Sequence, residues 1–183
     1  EKTPAWVSKY GKNTAFFCTN DAHTEPLLKQ LAANGGFFIE ADLPSPLMGY
    51  PGAFGIDLAA EAGNWPVILE KVEKAVSDAG AAGRMGTWAF SYGYTNSVAL
   101  AEFGKRIVEG TAKLDSKDDL MACYGEYTPG AKWNGNYYTD LGTGVTSKNH
   151  LLVYQDTYIF GKGFMNAASV EVPEKYGQIK MTK

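Results

Sequence analysis

Residues 15–42 read AFFCTNDAHTEPLLKQLAANGGFFIEAD. Ala15–Cys18 is a short apolar run of the kind found in strands buried on both faces. Thr19-Asn20-Asp21 interrupts it, and a helix is expected from a Thr24 cap. Glu25 and Pro26 then fall in the first turn, which favours a carboxylate and tolerates a residue without an N–H. Leu27, Leu28, Leu31 and Ala32 recur at helical spacing, and Gly35-Gly36 stops the helix. Phe37-Phe38-Ile39 opens a second strand that closes at Ala41-Asp42. Strand, helix and strand at this length make a βαβ unit, with parallel strands and a right-handed crossover.

Working outward, the same order repeats. Leu43–Gly55 (LPSPLMGYPGAFG) holds three prolines and three glycines among apolar residues. It is read as an ordered loop packed on the domain, neither helix nor central strand. Asn64 caps a second helix with Pro66 in its first turn; Ile68, Leu69, Val72, Ala75, Val76 and Ala79 form one face, and Gly80 ends it. Gly86–Phe90 is read as a third strand and Ser91–Tyr94 as its loop. A third helix is then expected from Thr95 or Asn96, burying Ala99, Leu100, Phe103 and Ile107 and stopping at Gly110. Three strand-loop-helix units of one polarity imply an α/β lobe over residues 1–110, a parallel sheet with helices on its faces. Before it, Trp6, Val7, Tyr10 and Gly11 read as the end of an amphipathic helix. Because the chain opens inside a helix and on Glu1, it is expected to be a fragment or second half of a larger protein.

After Gly110 the pattern changes. Leu114–Tyr127 reads as partly helical around Asp119-Leu120-Met121. Trp133–Phe164 reads as antiparallel strands, with Leu141–Gly144 turning between Tyr137–Thr139 and His150–Tyr154. The stretch from Asn166 to Lys183 carries Val170 and Val172 and then frays into a charged tail. Residues 111–183 are therefore a β-rich extension packed on the same lobe.

Composition sets the limits on function. The 183 residues are 45% hydrophobic and 13% aromatic, which excludes intrinsic disorder. Seventeen Lys+Arg against 20 Asp+Glu leave a formal charge of −3, which argues against a nucleic-acid partner. No apolar run reaches the length of a membrane span. His23 and His150 lack ligand partners at metal-binding spacing, so neither metal nor cofactor is expected. There is no GxSxG; Gly161-Lys162-Gly163 lacks the rest of a phosphate loop, and Asp118-Asp119 diverge on a helix as a solvated face. Cys18 and Cys123 read as buried thiols. No catalytic constellation emerges, which tilts the reading away from an enzyme.

Position offers more. In an open parallel sheet, ligands bind outside the carboxyl ends of the strands. Three loops qualify there: Asn20–His23, Asp42–Ser45 and Ser91–Thr95. Asn20, Asp21, Asp42, Ser45, Ser91 and Tyr92 are the leading candidates for a polar ligand, with His23 and Tyr94 secondary. Against this, Asn20 and Asp21 also suit simple helix capping, and Tyr92 and Tyr94 suit covering a helix start. Tyr154, Gln155 and Asp156 end a late strand and form a further, speculative group. Met48, Tyr50 and Phe54 would instead block such a cleft if they turned into it.

Residues 16–42 resemble the segment of type 1 periplasmic binding proteins and their repressor relatives in which a strand ends in Asn-Asp. There the Asp contacts ligand and the next strand closes on another Asp; Asn20, Asp21 and Asp42 fit that register. Residues 83–110, GRMGTWAFSYGYTNSVALAEFGKRIVEG, are similar to the later strand, cleft loop and helix of the same lobe, with Ser91 nearest to its hinge-side polar residue. More closely, YGKNTAFFCTNDAHTEPLL, ADLPSPLMGYPGAFGID, GRMGTWAFSYG and YTPGAKWNGNYY resemble a bacterial family of uncharacterised function whose members are extracytoplasmic lipoproteins. That resemblance runs to about Tyr176 and implies the C-terminal lobe of a two-lobed solute receptor. Its implied partners are a small-molecule ligand, the other lobe of the same protein and a membrane permease. A ligand-sensing regulatory module, and an enzyme completed by the other half, are the rival readings.

Overall fold

A computed structural model describes residues 2–140, 142–171 and 173. Glu1, Leu141, Val172 and the charged tail beyond Pro173 lie outside the described residues, and with them parts of the expected turn and terminal stretch. Helix α1 (Thr3–Tyr10) ends at Gly11, whose φ of 93° suits only glycine without strain. Strand β1 (Ala15–Cys18), helix α2 (Thr24–Asn34) and strand β2 (Phe37–Ala41) form the βαβ unit, and the two strands pair in parallel. Thr24 stands one residue inside the helix and His23 holds the cap position, so the expected Thr24 cap is displaced.

The proline-rich stretch is ordered as expected, yet it contains a short helix, α3 (Tyr50–Phe54), where none was expected. Pro51 sits in its first turn, where a missing N–H costs nothing. Gly49 precedes it at φ 74°, and a Cβ there would lie 2.7 Å from the Glu25 amide nitrogen. Only glycine lets α3 approach α2 this closely. The payload is Tyr50, 1% exposed, whose hydroxyl donates to the Gly86 carbonyl at 2.7 Å and whose ring meets Phe38 and Phe160 edge-on.

Helix α4 (Trp65–Asp78) follows the Asn64 cap position, although the Asn64 side chain makes no capping bond. Its buried face is Trp65, Ile68, Val72 and Val76. Strand β3 spans only Gly86–Thr87 of the expected Gly86–Phe90. Its neighbour Met85 bridges Phe38 in parallel, so the third unit keeps the polarity of the first two. Helix α5 (Tyr92–Val108) starts three residues earlier than expected and carries an exposed Leu100 where burial was expected. Helix α6 (Lys117–Tyr127) has a Ser116 cap accepting from the Asp119 amide. Strands β4 (Trp133–Thr139) and β5 (Thr146–Gln155) form an antiparallel ribbon. Strands β6 (Tyr158–Ile159) and β7 (Gly163–Phe164) complete the described strands, with β6 antiparallel to β3. The protein is thus mixed α/β, with both parallel and antiparallel pairing.

Two cores hold it together. The first joins Cys18, Leu28, Leu31, Phe38, Tyr50, Ile68, Val72, Val76 and Phe160. Each large side chain there contributes about 1.5–3 kcal/mol by leaving water. The second joins Ala99 and Phe103 of α5 to Leu120, Cys123 and Tyr124 of α6, with Trp133, Leu151 and Val153 packed beside them. Helix α5 therefore packs with C-terminal elements, while Phe160 of the C-terminal stretch joins the first core. Both cysteines are free and buried, as expected.

One expectation fails. The β1–β2 sheet is not buried on both faces: Phe17 is 55% exposed and Ile39 44% exposed, with Ala15 open beside them. Among the described residues helices cover one side of these strands, so the arrangement has two layers here where three were expected.

Candidate functional site

The carboxyl ends of β1, β2 and β3 bring the three polar loops to one edge, and hydrogen bonds tie them to each other. Asp21 Oδ1 accepts from the Leu43 amide at 3.2 Å, joining the first loop to the second. The Pro44 carbonyl accepts from the Tyr92 amide at 2.9 Å, joining the second to the third. From the far side, Gln155 Oε1 accepts from the Phe90 amide at 3.2 Å. Asp21, Asp42, Ser91 and Tyr92 are thus neighbours along one rim.

The individual side chains divide into two groups. Asp42 is exposed at the end of β2. Ser91 is half-buried at the α5 cap position and makes no capping bond, which leaves its hydroxyl available. Tyr92 is 40% exposed, with its ring 5.8 Å from that of Trp88. Asp21 is half-buried and keeps its second carboxylate oxygen clear of the Leu43 bond. These four can meet a ligand.

The other four are occupied or turned away. Asn20 Oδ1 accepts from the Ala22 amide at 3.0 Å, capping the 3-10 turn Asp21–His23, so its capping role is filled. Ser45 is only 5% exposed, and its hydroxyl accepts from the Leu47 amide at 3.0 Å inside a turn. It is corrected from a ligand group to a loop brace. Tyr94 leaves the first turn of α5 on another side and packs 5.3 Å from Trp65. His23 is exposed but lines a groove of about 610 Å³ with Trp6, Phe17 and Leu27, beside β1 and off the polar rim.

The late-strand group behaves structurally. Asp156 is buried and accepts from the Asn166 and Ala167 amides at 2.6 and 3.0 Å, closing a loop. Gln155 is 1% exposed, and its Nε2 has no partner among the described residues. Tyr154 remains 40% exposed.

Sequence reasoning missed two features behind the rim. The first is aromatic: Trp133 lies 4.2 Å from Tyr124 and 5.5 Å from Trp88, and the Tyr124 hydroxyl donates to Asn96 Oδ1 at 2.6 Å. Asn96 Nδ2 in turn donates to the Tyr92 carbonyl, so this chain of contacts holds the first turn of α5. The second is Glu40, 8% exposed on β2. Its Oε2 accepts from the Thr157 hydroxyl at 3.2 Å, and its Oε1 has no partner among the described residues. Burial pushes its carboxyl up to about 8, so it is a neutral acid at pH 7. Burial also pushes the Cys123 thiol up, away from nucleophile chemistry. Among the described residues no three His, Cys, Asp or Glu side chains gather as metal ligands would.

Comparison with other proteins gives relatives without an assigned activity. The family "Protein of unknown function (DUF3798)" matches residues 1–86, and a second family matches residues 97–179. An uncharacterized protein of Treponema pallidum (strain Nichols) is 44% identical over 71 residues, which are 39% of this chain and 31% of that one. Another from the same organism is 30% identical over 81 residues, 44% of this chain and 91% of that one. The chain belongs to the uncharacterised bacterial family that includes this second protein. Among solved structures, a proposed transcriptional regulator from Clostridium difficile 630 superposes with a TM-score of 0.69 at 21% identity. The match covers 85% of this chain and 43% of the other. The chain thus spans less than half of that structure, and its match spans about a third of the first relative.

Proposed function

We propose that this chain forms one wall of a small-solute binding cleft, as the C-terminal lobe of a two-lobed extracytoplasmic receptor of the type 1 periplasmic-binding kind. The single observation behind this reading is the hydrogen-bonded rim, in which Asp21, Asp42, Ser91 and Tyr92 come from three successive strand ends. Carboxylates, a hydroxyl and an aromatic face in one place suit a polar ligand rich in donors. The other lobe closes on the same rim about a hinge, and contacts from both sides stabilise the closed state. In this reading the receptor is anchored by lipid to the cell envelope and hands its solute to a permease or a sensor. It is not an enzyme.

Native mass spectrometry of the protein produced from its whole reading frame is the test. A copurified small molecule that is lost in Asp42→Ala supports the proposal; one that Asp42→Ala retains removes the rim from it. A second reading is a ligand-sensing regulatory module, favoured by the superposition on a proposed transcriptional regulator. Sequence-specific binding of duplex DNA by the same protein would decide for that reading.

A further inference from the structure

The groove of about 610 Å³ beside β1 lies off the polar rim and has the opposite electrostatic character. Helix α1 leads into β1 and α2 leaves it, so both helices begin at the carboxyl end of that strand. Lys2 and Thr3, at the start of α1, accordingly line the groove together with Thr19 and His23. No side chain caps either helix, and the positive ends of both dipoles meet there. Lys29 lies along the wall, held by Glu25 at 2.6 Å. Among the described residues no carboxylate lines the groove, whereas the rim presents Asp21 and Asp42. Thr3 is only 8% exposed, yet it lines the groove and its hydroxyl has no partner among the described residues. A buried hydroxyl left in that state is costly until something bonds to it. One turn further on, Trp6 stacks on Phe16 at 6.3 Å and 27° and is still 45% exposed, so its other face is open. Phe17 adds a second exposed ring to the lining.

We propose that this groove is a second binding site, separate from the rim, for a small molecule in which a flat aromatic ring carries an anionic group. The ring lies on the open face of Trp6 with Phe17 beside it. The anionic group lies at the start of α1, where Lys2 and the Thr3 hydroxyl donate to it. The backbone adds to them. The Trp6 amide is given to the Lys2 carbonyl and Pro4 has no N–H, which leaves the Thr3 and Ala5 amides as the donors of that first turn. The groove's volume falls within the roughly 300–1,000 Å³ usual for small-molecule sites. A neutral ring would leave the Thr3 hydroxyl and both amides unanswered. A bare inorganic anion would leave Trp6 and Phe17 in water, and a cation is repelled by Lys2 and by both helix dipoles.

The test titrates naphthoate, naphthalenemethanol and inorganic phosphate in turn and follows the nitrogen–proton resonances of the protein. Naphthoate is expected to shift the Trp6 indole and the Thr3 and Thr19 amides, while the Leu43 and Tyr92 amides of the rim stay still. The alcohol, which lacks the charge, is expected to bind at least about fivefold more weakly. Phosphate is expected to leave the Trp6 indole unmoved. Lys2→Gln, at an exposed site where folding is not at risk, should weaken naphthoate about two- to fivefold and reduce the effect of added salt on it. Thr3→Val keeps the shape of the side chain without its hydroxyl and should weaken naphthoate by roughly threefold. Equal affinity for the acid and the alcohol overturns the proposal, as does phosphate bound as tightly as naphthoate. So does naphthoate that shifts the rim amides and leaves Trp6 alone, or that no longer binds in Asp42→Ala. Binding that Asp42→Ala leaves unchanged supports a separate site, whether or not the rim takes a solute of its own.

Discussion

Two edges of the same small sheet differ completely. At the carboxyl ends of the strands, three loops are pinned to one another by the Asp21–Leu43 and Pro44–Tyr92 hydrogen bonds, Gln155 holds the Phe90 amide beside them, and polar groups stay in view. Along the flank of β1 no strand pairs among the described residues, and Phe17 and Trp6 face water. The first edge is a completed surface whose remaining free groups are available for recognition. The second has the chemistry of an interior. The difference teaches that exposure alone does not mark a site; what separates them is whether the backbone around the exposed groups is already satisfied.

That contrast can be broken in several ways, beginning with the strongest. Tyr50 is buried in the core beneath strand β3, so Tyr50→Ala should cost about 3–5 kcal/mol in urea unfolding, the range for deleting a buried aromatic. A loss under about 1 kcal/mol would mean that the Tyr50 ring and its bond to Gly86 do not hold the core. Next comes Glu40. Its folded pKa of about 8 lies above the ordinary value of 4.5, so the neutral acid favours the fold. That contribution is complete below about pH 4.5 and is lost as pH rises toward and through 8, with a slope of up to about 1.4 kcal/mol per pH unit. Unfolding free energy measured from pH 5 to 9 should show this fall, and Glu40→Gln should flatten it; an unchanged slope would reject the assignment. A smaller effect is expected for Asp21→Ala. It removes the bond to Leu43 at a partly wet site and should cost about 0.5–1 kcal/mol in the same assay. The smallest is Asp42→Ala, which should leave stability within about 0.5 kcal/mol because the side chain is exposed. A larger loss there would make Asp42 a brace like Ser45 and remove it from the candidate rim.

How much of this was legible from the chain depends on whether the deciding partner was near in sequence. The βαβ unit was readable because the helical spacing of Leu27, Leu28 and Leu31, the Gly35-Gly36 stop and the apolar runs are all local signals. Helix α3 was not, since its composition argues against helix; Tyr50 is fixed by a carbonyl 36 residues away, and Gly49 permits an approach that only packing reveals. The start of α5 was missed because the amide of Tyr92 finds its acceptor on Pro44, outside the helix. Ser45 and Asn20 look like ligand groups by residue type, but each is taken up by an amide two residues on. Phe17 was placed inside because a run such as AFFC is usually enclosed; among the described residues it is 55% exposed. Glu40 carried no warning at all, as its partner Thr157 lies 117 residues further along.

The bond between the Pro44 carbonyl and the Tyr92 amide has a practical use. Amides in the opening turn of a helix ordinarily face solvent and lose their protons quickly. This one is tethered to the neighbouring loop, so its resonance is a built-in gauge: anything that settles among Asp42, Leu43 and Ser91 must stretch or shield that tether. A spectrum of one backbone nitrogen could then register occupancy before the occupant has a name.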